Sequence, residues 1–337
     1  MTDNARGASV DGAPMLGQSA ATTVLLERAY KVRGPWRAAF GRLLANRMGV
    51  FGGVIVLLFV FLAAFGDALA PQDALFQDLM RISESPSSDH WFGTDEIGRD
   101  LFSRILAGAR TALLVATLVT LISAGLGTTI GIVSAYLGGW VDGALMRLAD
   151  LLQAFPPFLL AAFLNATLRT PVASRMDDLS ESTGIGFFAN REVVDFIVVF
   201  GALAAVSWSS YARLIRSQVL SLREREFVEA ARSMGAATPA ILGRHILPNS
   251  IAPIIVAVSV NDGNAILSES ALSYLGVGIQ PPTPSWGQMI NANLDQWRYY
   301  PHLVVIPGAV LTLLILGFNF FGDGVADALN PRQGKRA

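Results

Sequence analysis

Apolar positions along this chain neither alternate nor recur only on one helical face; they run on without interruption over long stretches. Six such stretches stand out, at about 49–68, 111–135, 146–168, 196–212, 249–275 and 303–322. A helix that crosses the hydrocarbon core needs roughly 20 mostly apolar residues. Barrel strands instead alternate in segments half that long, so the continuous runs predict helical spans. The expectation is an all-α integral membrane protein with six transmembrane helices. The third run is the least regular, because Arg147 and Asp150 lie near its start and Pro156 and Pro157 are expected to kink it. The second carries Gly125, Gly127 and Gly131, small surfaces on which another helix can approach closely.

The polar stretches between the runs set the organisation. Residues 1–23 are rich in Gly, Ala, Ser and Thr and read as a tail; residues 24–48 are basic, with Arg28, Lys31, Arg33, Arg37, Arg42 and Arg47 against Glu27. Together 1–48 form an N-terminal tail and arm, followed by a first span at 49–70, an acidic segment at 71–104, a five-helix core at 105–325 and a tail at 326–337. Within the core, 213–248 is a charged loop, while 169–195 and 276–302 read as loops on the opposite face. Lys and Arg gather in the arm, in the 213–248 loop and in the final tail. Basic flanks stay in the cytoplasm, so both termini are expected inside and 71–104 outside.

The loop at 213–248 is unusual. Residues 213–235 hold eight charges, and a mid-bilayer charge costs roughly 2.5–3.5 kcal/mol, so burial in lipid would cost on the order of 20 kcal/mol. The segment therefore lies in water. Its residues nevertheless spell two short helices. Good helix formers run through REREFVEAARSM, and Gly235 stands where a left-handed residue ends a helix. Thr238 is positioned to cap the next helix and Pro239 to open it, and Pro248 marks a break before the fifth span. Phe227, Ala230, Ala231 and Met234 recur at three- and four-residue spacing as a small apolar face. Such a face either lies on headgroups or on the protein's own spans, or serves as a knob for a partner in the cytoplasm.

Composition narrows the class. The 337 residues are 52% hydrophobic and 15% charged with a net charge of −1, which disfavours a nucleic-acid binder. Cysteine is absent, which removes disulfides, thiolate metal sites and cysteine nucleophiles. His90, His245 and His302 are far apart and form no HExxH, so no metal site is expected. No GxxxxGK[ST] occurs, and GLGTTIG has no lysine, so the chain carries no recognisable ATP site and is not expected to be an enzyme.

The run EAARSMGAATPAILGRHILP at 229–248 resembles the cytoplasmic loop signature of permease subunits of ATP-binding-cassette importers, through Glu229, Ala230, Ala231, Gly235, Leu247 and Pro248. His245 departs from it, standing where the pattern favours isoleucine. HWFGTDEIGRDLFSRILAGARTAL at 90–113, YARLIRSQVLSLREREFVEAARSMGA, ESALSYLGVGIQPPTPSWGQM at 269–289 and FNFFGDGVADALNPR at 318–332 resemble the dipeptide, oligopeptide and nickel branch of that family. Two further departures are the stretch at 170–192, longer than this branch usually has, and the long N-terminal tail. The resemblance implies the type I importer permease fold in a bacterial inner membrane. It also implies a pore shared with a second homologous permease, one or two ATPase subunits that bind ATP and Mg, and a periplasmic or lipid-anchored substrate-binding protein. In that setting Glu229 anchors the loop on the ATPase and Gly235 sets the helix direction. Solutes of the branch include peptides, nickel chelates, glutathione and opines.

Three other groups carry candidate chemistry. Asp262 and Glu269 lie seven residues apart, two turns along one face of the fifth span, and ionisable groups at that depth are candidates for a translocation path. Asp262 could meet a peptide amino group there. Either acid could equally be structural, Glu269 being satisfied by Ser268, Ser270 or a loop. In GTDEIGRD, Asp95, Arg99 and Asp100 read as a solvated turn, and the resemblance implies periplasmic contacts with the binding protein or the partner permease. Asp95 and Glu96 pair two carboxyls, but no nucleophile or positioned base accompanies them. The competing class is a self-sufficient secondary transporter or channel, which also shows six spans and intramembrane acids. A membrane-embedded enzyme would need a catalytic constellation that is missing from the sequence.

Overall fold

The structure, a computed structural model, describes residues 35–330. Residues 1–34 and 331–337, which include Arg28, Lys31 and Arg33 of the basic arm and the C-terminal basic residues, lie outside that range. Among the described residues every regular element is a helix, with one isolated bridge between Thr94 and Asp100 in the irregular segment that joins Leu69 to Leu101. A short helix α1 (Pro35–Ala45) leads into α2 (Arg47–Leu69), which Asn46 caps by accepting the Gly49 N–H at 3.0 Å. Then come α3 (Leu101–Leu137), α4 (Gly139–Ala154), α5 (Pro157–Thr183), α6 (Arg191–Arg223), α7 (Glu226–Ser233), α8 (Thr238–Ile241), α9 (Leu247–Tyr274), α10 (Trp286–Ala292) and α11 (His302–Leu329).

Five helices are long and apolar enough to cross a membrane, and α4 with α5, bent by 93° at their junction, is the candidate for a sixth, either as a broken span or as a re-entrant pair. The kink expected at Pro156 and Pro157 is thus a full elbow. Pro157 lacks an N–H and its ring excludes the preceding turn, so the helical ladder stops at Ala154 and restarts at Pro157. The spans otherwise sit where the apolar runs placed them, with longer ends. The second starts ten residues early because Asp100 caps it, accepting from the Ser103 N–H at 2.8 Å and the Ser103 hydroxyl at 2.7 Å.

Glycine sets the helix spacing. A Cβ on Gly127 would fall 2.5 Å from the Trp208 carbonyl, and one on Gly131 2.6 Å from the Ala212 carbonyl, so α3 lies backbone to backbone on α6. Gly125 has nothing within 4 Å and plays no such part. The first and last spans meet likewise where Gly49 faces Gly324.

The segment at 169–195 is not a loop. α5 continues to Thr183, ends on a left-handed Gly184 and turns through a 3-10 stretch at Gly186–Ala189 into α6. Met176 supplies the reason, because it buries against Val194 and Val198 and thereby covers the extra helical turns. The segment at 276–302 is also partly internal. Trp286 is 2% exposed, donates to the Ile105 carbonyl at 3.2 Å and meets Phe59 edge to face at 5.7 Å.

Candidate functional site

At one end of the bundle, α7 and α8 form a compact knob below α3 and α6. α7 ends in a Schellman turn: the Ala236 N–H donates to the Ala231 carbonyl at 3.1 Å and the Gly235 N–H to the Arg232 carbonyl at 3.0 Å. Gly235 takes φ +80°, a conformation that costs a residue with a Cβ about 1 kcal/mol. The reversal expected at Gly235 is therefore present. The apolar face differs from the spacing argument. Val228 is fully buried and Ala231 is 3% exposed, both packed with Ala135, Ile215, Val219 and Ile246. Phe227, Glu229, Ala230 and Met234 point outward, and Met234 is 81% exposed. One face thus fixes the knob on its own spans while the other stays open.

Two further expectations are corrected at this end. Ala237, not Thr238, occupies the cap position of α8, and Thr238 and Pro239 form its first turn. Pro248 does not break the chain. From Thr238 to Tyr274 the backbone is continuously helical, through a π-helical stretch at Leu242–Ile246. There the Leu247 N–H reaches back five residues to Leu242, a wider turn that makes room for Pro248, which has no N–H of its own. Leu247 is half-buried and Pro248 exposed. His245, the departure from the loop signature, rests against Phe227 with ring centroids 6.3 Å apart.

Halfway along the bundle, α3, α6 and α9 surround a polar cavity of about 370 Å³ that also touches the elbow through Gln153 and Pro157. Its walls are uncharged, with Ser207, Asn261 and Asn264 among them. Asp262 is not in the wall. Its neighbours Asn261 and Asn264 face the cavity while the Asp262 carboxylate turns toward Thr120 and Tyr211. Glu269, two turns on, is 2% exposed and belongs to a different environment. It accepts from the hydroxyls of Ser273 at 2.6 Å, Ser285 at 2.9 Å and Ser270 at 3.3 Å, which ties α9 to the start of α10. Asp262 and Glu269 are therefore not brought to one site. Sequence reasoning missed the cavity hydroxyls, which come from three helices far apart in the chain.

The opposite end carries a cap built from residues 71–100. Asp95, Arg99 and Asp100 are not solvated: they are 2%, 5% and 1% exposed. Arg99 Nε donates to Asp95 Oδ2 at 2.6 Å, Arg104 approaches the same oxygen at 3.4 Å, and Asp100 Oδ1 bonds His90 Nδ1 at 2.9 Å. The turn needs glycine, since a Cβ on Gly98, at φ +76°, would fall 1.8 Å from the Asp78 carbonyl. Burial, reinforced by the charge of Asp95, raises the Glu96 carboxyl above its usual range; the Arg99 and Arg104 guanidinium groups only partly offset this. Beside the cap lies a wider groove of about 800 Å³, with Asp67, Asp73, Glu192 and Asp195 in its walls. No group of three or more His, Cys, Asp or Glu side chains among the described residues is arranged to hold a metal ion.

Residues 127–335 match the family described as binding-protein-dependent transport system inner membrane components. The chain belongs to this family. Residues 34–86 also match the N-terminal TM domain of oligopeptide transport permease C. Among curated proteins, the glutathione transport system permease protein GsiD of Pectobacterium atrosepticum is 38% identical over 311 residues, covering 92% of this chain and 95% of that protein. The dipeptide transport system permease protein DppC of Alkalihalophilus pseudofirmus is 37% identical over 307 residues, 91% of this chain and 93% of its own length. GsiD of Escherichia coli O157:H7 is 36% identical over 316 residues, 94% and 96% of the two chains. The protein is thus a multi-pass inner-membrane permease, the pore-forming subunit of an ATP-binding-cassette importer, and the permease is not itself the catalytic subunit. Its family partners it with another permease, an ATPase and a binding protein.

Proposed function

We propose that this permease carries peptides or a peptide-like solute inward, driven by ATPase subunits that grip the knob formed by α7 and α8. The relatives named for glutathione and dipeptide transport support the solute class. The open face of α7 supports the grip: Val228 and Ala231 lock the knob to the spans while Glu229 and Ala230 stay accessible on the other side. A short helix so fixed passes a rigid-body displacement of its partner into α6 and α9, the spans on either side. Glu229 is the polar anchor, Ala230 allows close approach, Ala231 seats the helix, Gly235 sets its direction, and Leu247 and Pro248 join it to α9. The termini and the knob lie in the cytoplasm and the 71–100 cap outside, following the placement of Lys and Arg.

The complete importer holds a second homologous permease, one or two ATPase subunits that bind ATP and Mg, and a substrate-binding protein that docks on the cap. Asp95, Arg99 and Asp100 shape that docking surface from within. Asp262 acts behind the cavity wall by orienting Thr120, and Glu269 holds the outer rim in place through its serines. In the reconstituted complex, Gly235→Arg retains membrane insertion and abolishes ATP-driven uptake. Intact uptake by that variant would overturn the grip.

A further inference from the structure

Helix α1 holds no acidic residue, and its apolar side chains divide into two stripes. Ala39 and Leu43 turn inward: Ala39 is buried, and the Leu43 side chain lies against the crossing of Gly49 with Gly324. Trp36, Phe40 and Leu44, spaced four residues apart, stay more than half exposed. At 3.6 residues per turn, exposed Arg37 and half-buried Arg42 flank this apolar face on its two sides, and exposed Arg47 follows at the start of α2. No ion pair among the described residues engages Arg37, Arg42 or Arg47. Asn46 fixes the helix in place, since its extended backbone separates α1 from α2 and its Nδ2 donates to Asp327 Oδ2 at 3.0 Å.

Two recesses share the rings of Trp36 and Phe40. One is a cleft of about 170 Å³ walled by apolar side chains alone, with Ile255 of α9 and Val325, Ala328 and Leu329 of α11 facing the two rings. The other is completed by Arg37 and Gly41. An apolar slot that adjoins a cationic recess fits an amphiphile with an anionic head. Location makes that amphiphile a membrane lipid. Both α9 and α11 are long and apolar enough to be spans, so the slot runs along hydrocarbon. It lies at the far end of α11 from the cap, because His302 at the other end bonds the Glu84 carbonyl at 3.2 Å. At such a boundary a tryptophan ring sits at headgroup level, and a guanidinium meets a phosphate through paired N–H bonds.

We propose that α1, α9 and α11 form a seat for an anionic phospholipid in the leaflet on the knob side. An acyl chain lies in the apolar cleft, and Arg37, with Arg42 and Arg47 nearby, holds the phosphate. The sequence leading into α1 adds Arg28, Lys31 and Arg33 against Glu27, charge of the sign that attracts such a lipid. The seat is independent of which solute the permease carries. Its lipid fastens the first helix of the described chain to the span that rises directly from the knob.

The purified importer complex in neutral detergent is titrated with phosphatidylglycerol or with net-neutral phosphatidylcholine of the same acyl chains, and retained lipid is counted by native mass spectrometry. Phosphatidylglycerol is expected to bind saturably and about tenfold more tightly than phosphatidylcholine. Arg37→Gln is expected to weaken it about fivefold, the share of one arginine at an anionic surface, and Arg37→Gln with Arg47→Gln to weaken it further. Both side chains are exposed, so neither change strands a buried group. Arg298→Gln, exposed beside the cap, is expected to leave binding unchanged. Phosphatidylglycerol with a diazirine in its acyl chain is expected to cross-link α1 and the last turn of α11. Equal retention of the two lipids, unchanged affinity in Arg37→Gln, or cross-links that avoid α1 and α11 overturns the seat. A map of the complex in which residues 1–34 or a partner subunit fill the cleft overturns it as well.

Discussion

Arg216 grips Asp142 with two bonds, Nε to Oδ1 at 2.6 Å and Nη2 to Oδ2 at 2.5 Å, and the Ser134 hydroxyl donates to the same carboxylate. The three residues come from α6, α4 and the end of α3, so one carboxylate joins the lower limb of the elbow to the helix that feeds the knob. A bidentate pair of this kind holds direction as well as distance.

The pair is partly exposed, and partly exposed pairs contribute modestly. In a double-mutant cycle on thermal unfolding in detergent, Asp142→Ala and Arg216→Ala are each expected to destabilise. The double variant should lose less than their sum by about 1 kcal/mol. Strictly additive losses would show that the two side chains do not act together.

Glu96 gives the cap a pH dependence. Its carboxyl is raised in the folded protein, chiefly by burial, and its Oε2 has no hydrogen-bond partner. The folded state therefore holds the proton more tightly than the unfolded chain. This contribution is fully present below the ordinary carboxylate range and is lost as pH climbs through the raised value. Glu96→Gln keeps the shape and removes the titration, so it is expected to raise the melting temperature at pH 7 and to change it little at pH 4. An equal change at both pH values would refute the assignment.

Glu269 is expected to be the most sensitive acid to truncate. Glu269→Ala strands the hydroxyls of Ser270 and Ser285 in a buried site and leaves a void, a loss of roughly 3–5 kcal/mol. Glu269→Gln keeps the volume and one acceptor oxygen and should cost less than half of that. Melting of the purified complex measures both, and a Glu269→Ala complex as stable as the parent would contradict the serine cradle.

The sequence made the spans, the position of the elbow and the reversal at Gly235 legible, because each depends on neighbours within one helical turn. Gly127 and Gly131 were legible for a similar reason: a small residue advertises a close approach without naming its partner. The faces were harder. Ala230 and Ala231 are chemically identical neighbours, and only the presence of Ala135 and Ile246 across the gap decides which one turns inward. The acids were misread for the same cause. Asp95 and Asp100 look like exposed loop carboxylates until Arg99 and His90 close on them, and Ser285 reaches Glu269 from sixteen residues away. The cavity hydroxyls, drawn from three separate spans, leave no local pattern at all.

The 93° elbow between Ala154 and Pro157 has a mechanical result. A straight rod would hand an axial thrust through the bilayer unchanged, whereas a bent arm turns thrust into swing. Asp142 sits on the short limb and Gln153 at the corner beside the cavity, so a tug on Arg216 is expected to reach the chamber as a change of bore. Spin labels at Leu151 and Ser210 would register that motion as widening during the ATP cycle; a fixed separation would make the corner a rigid bracket.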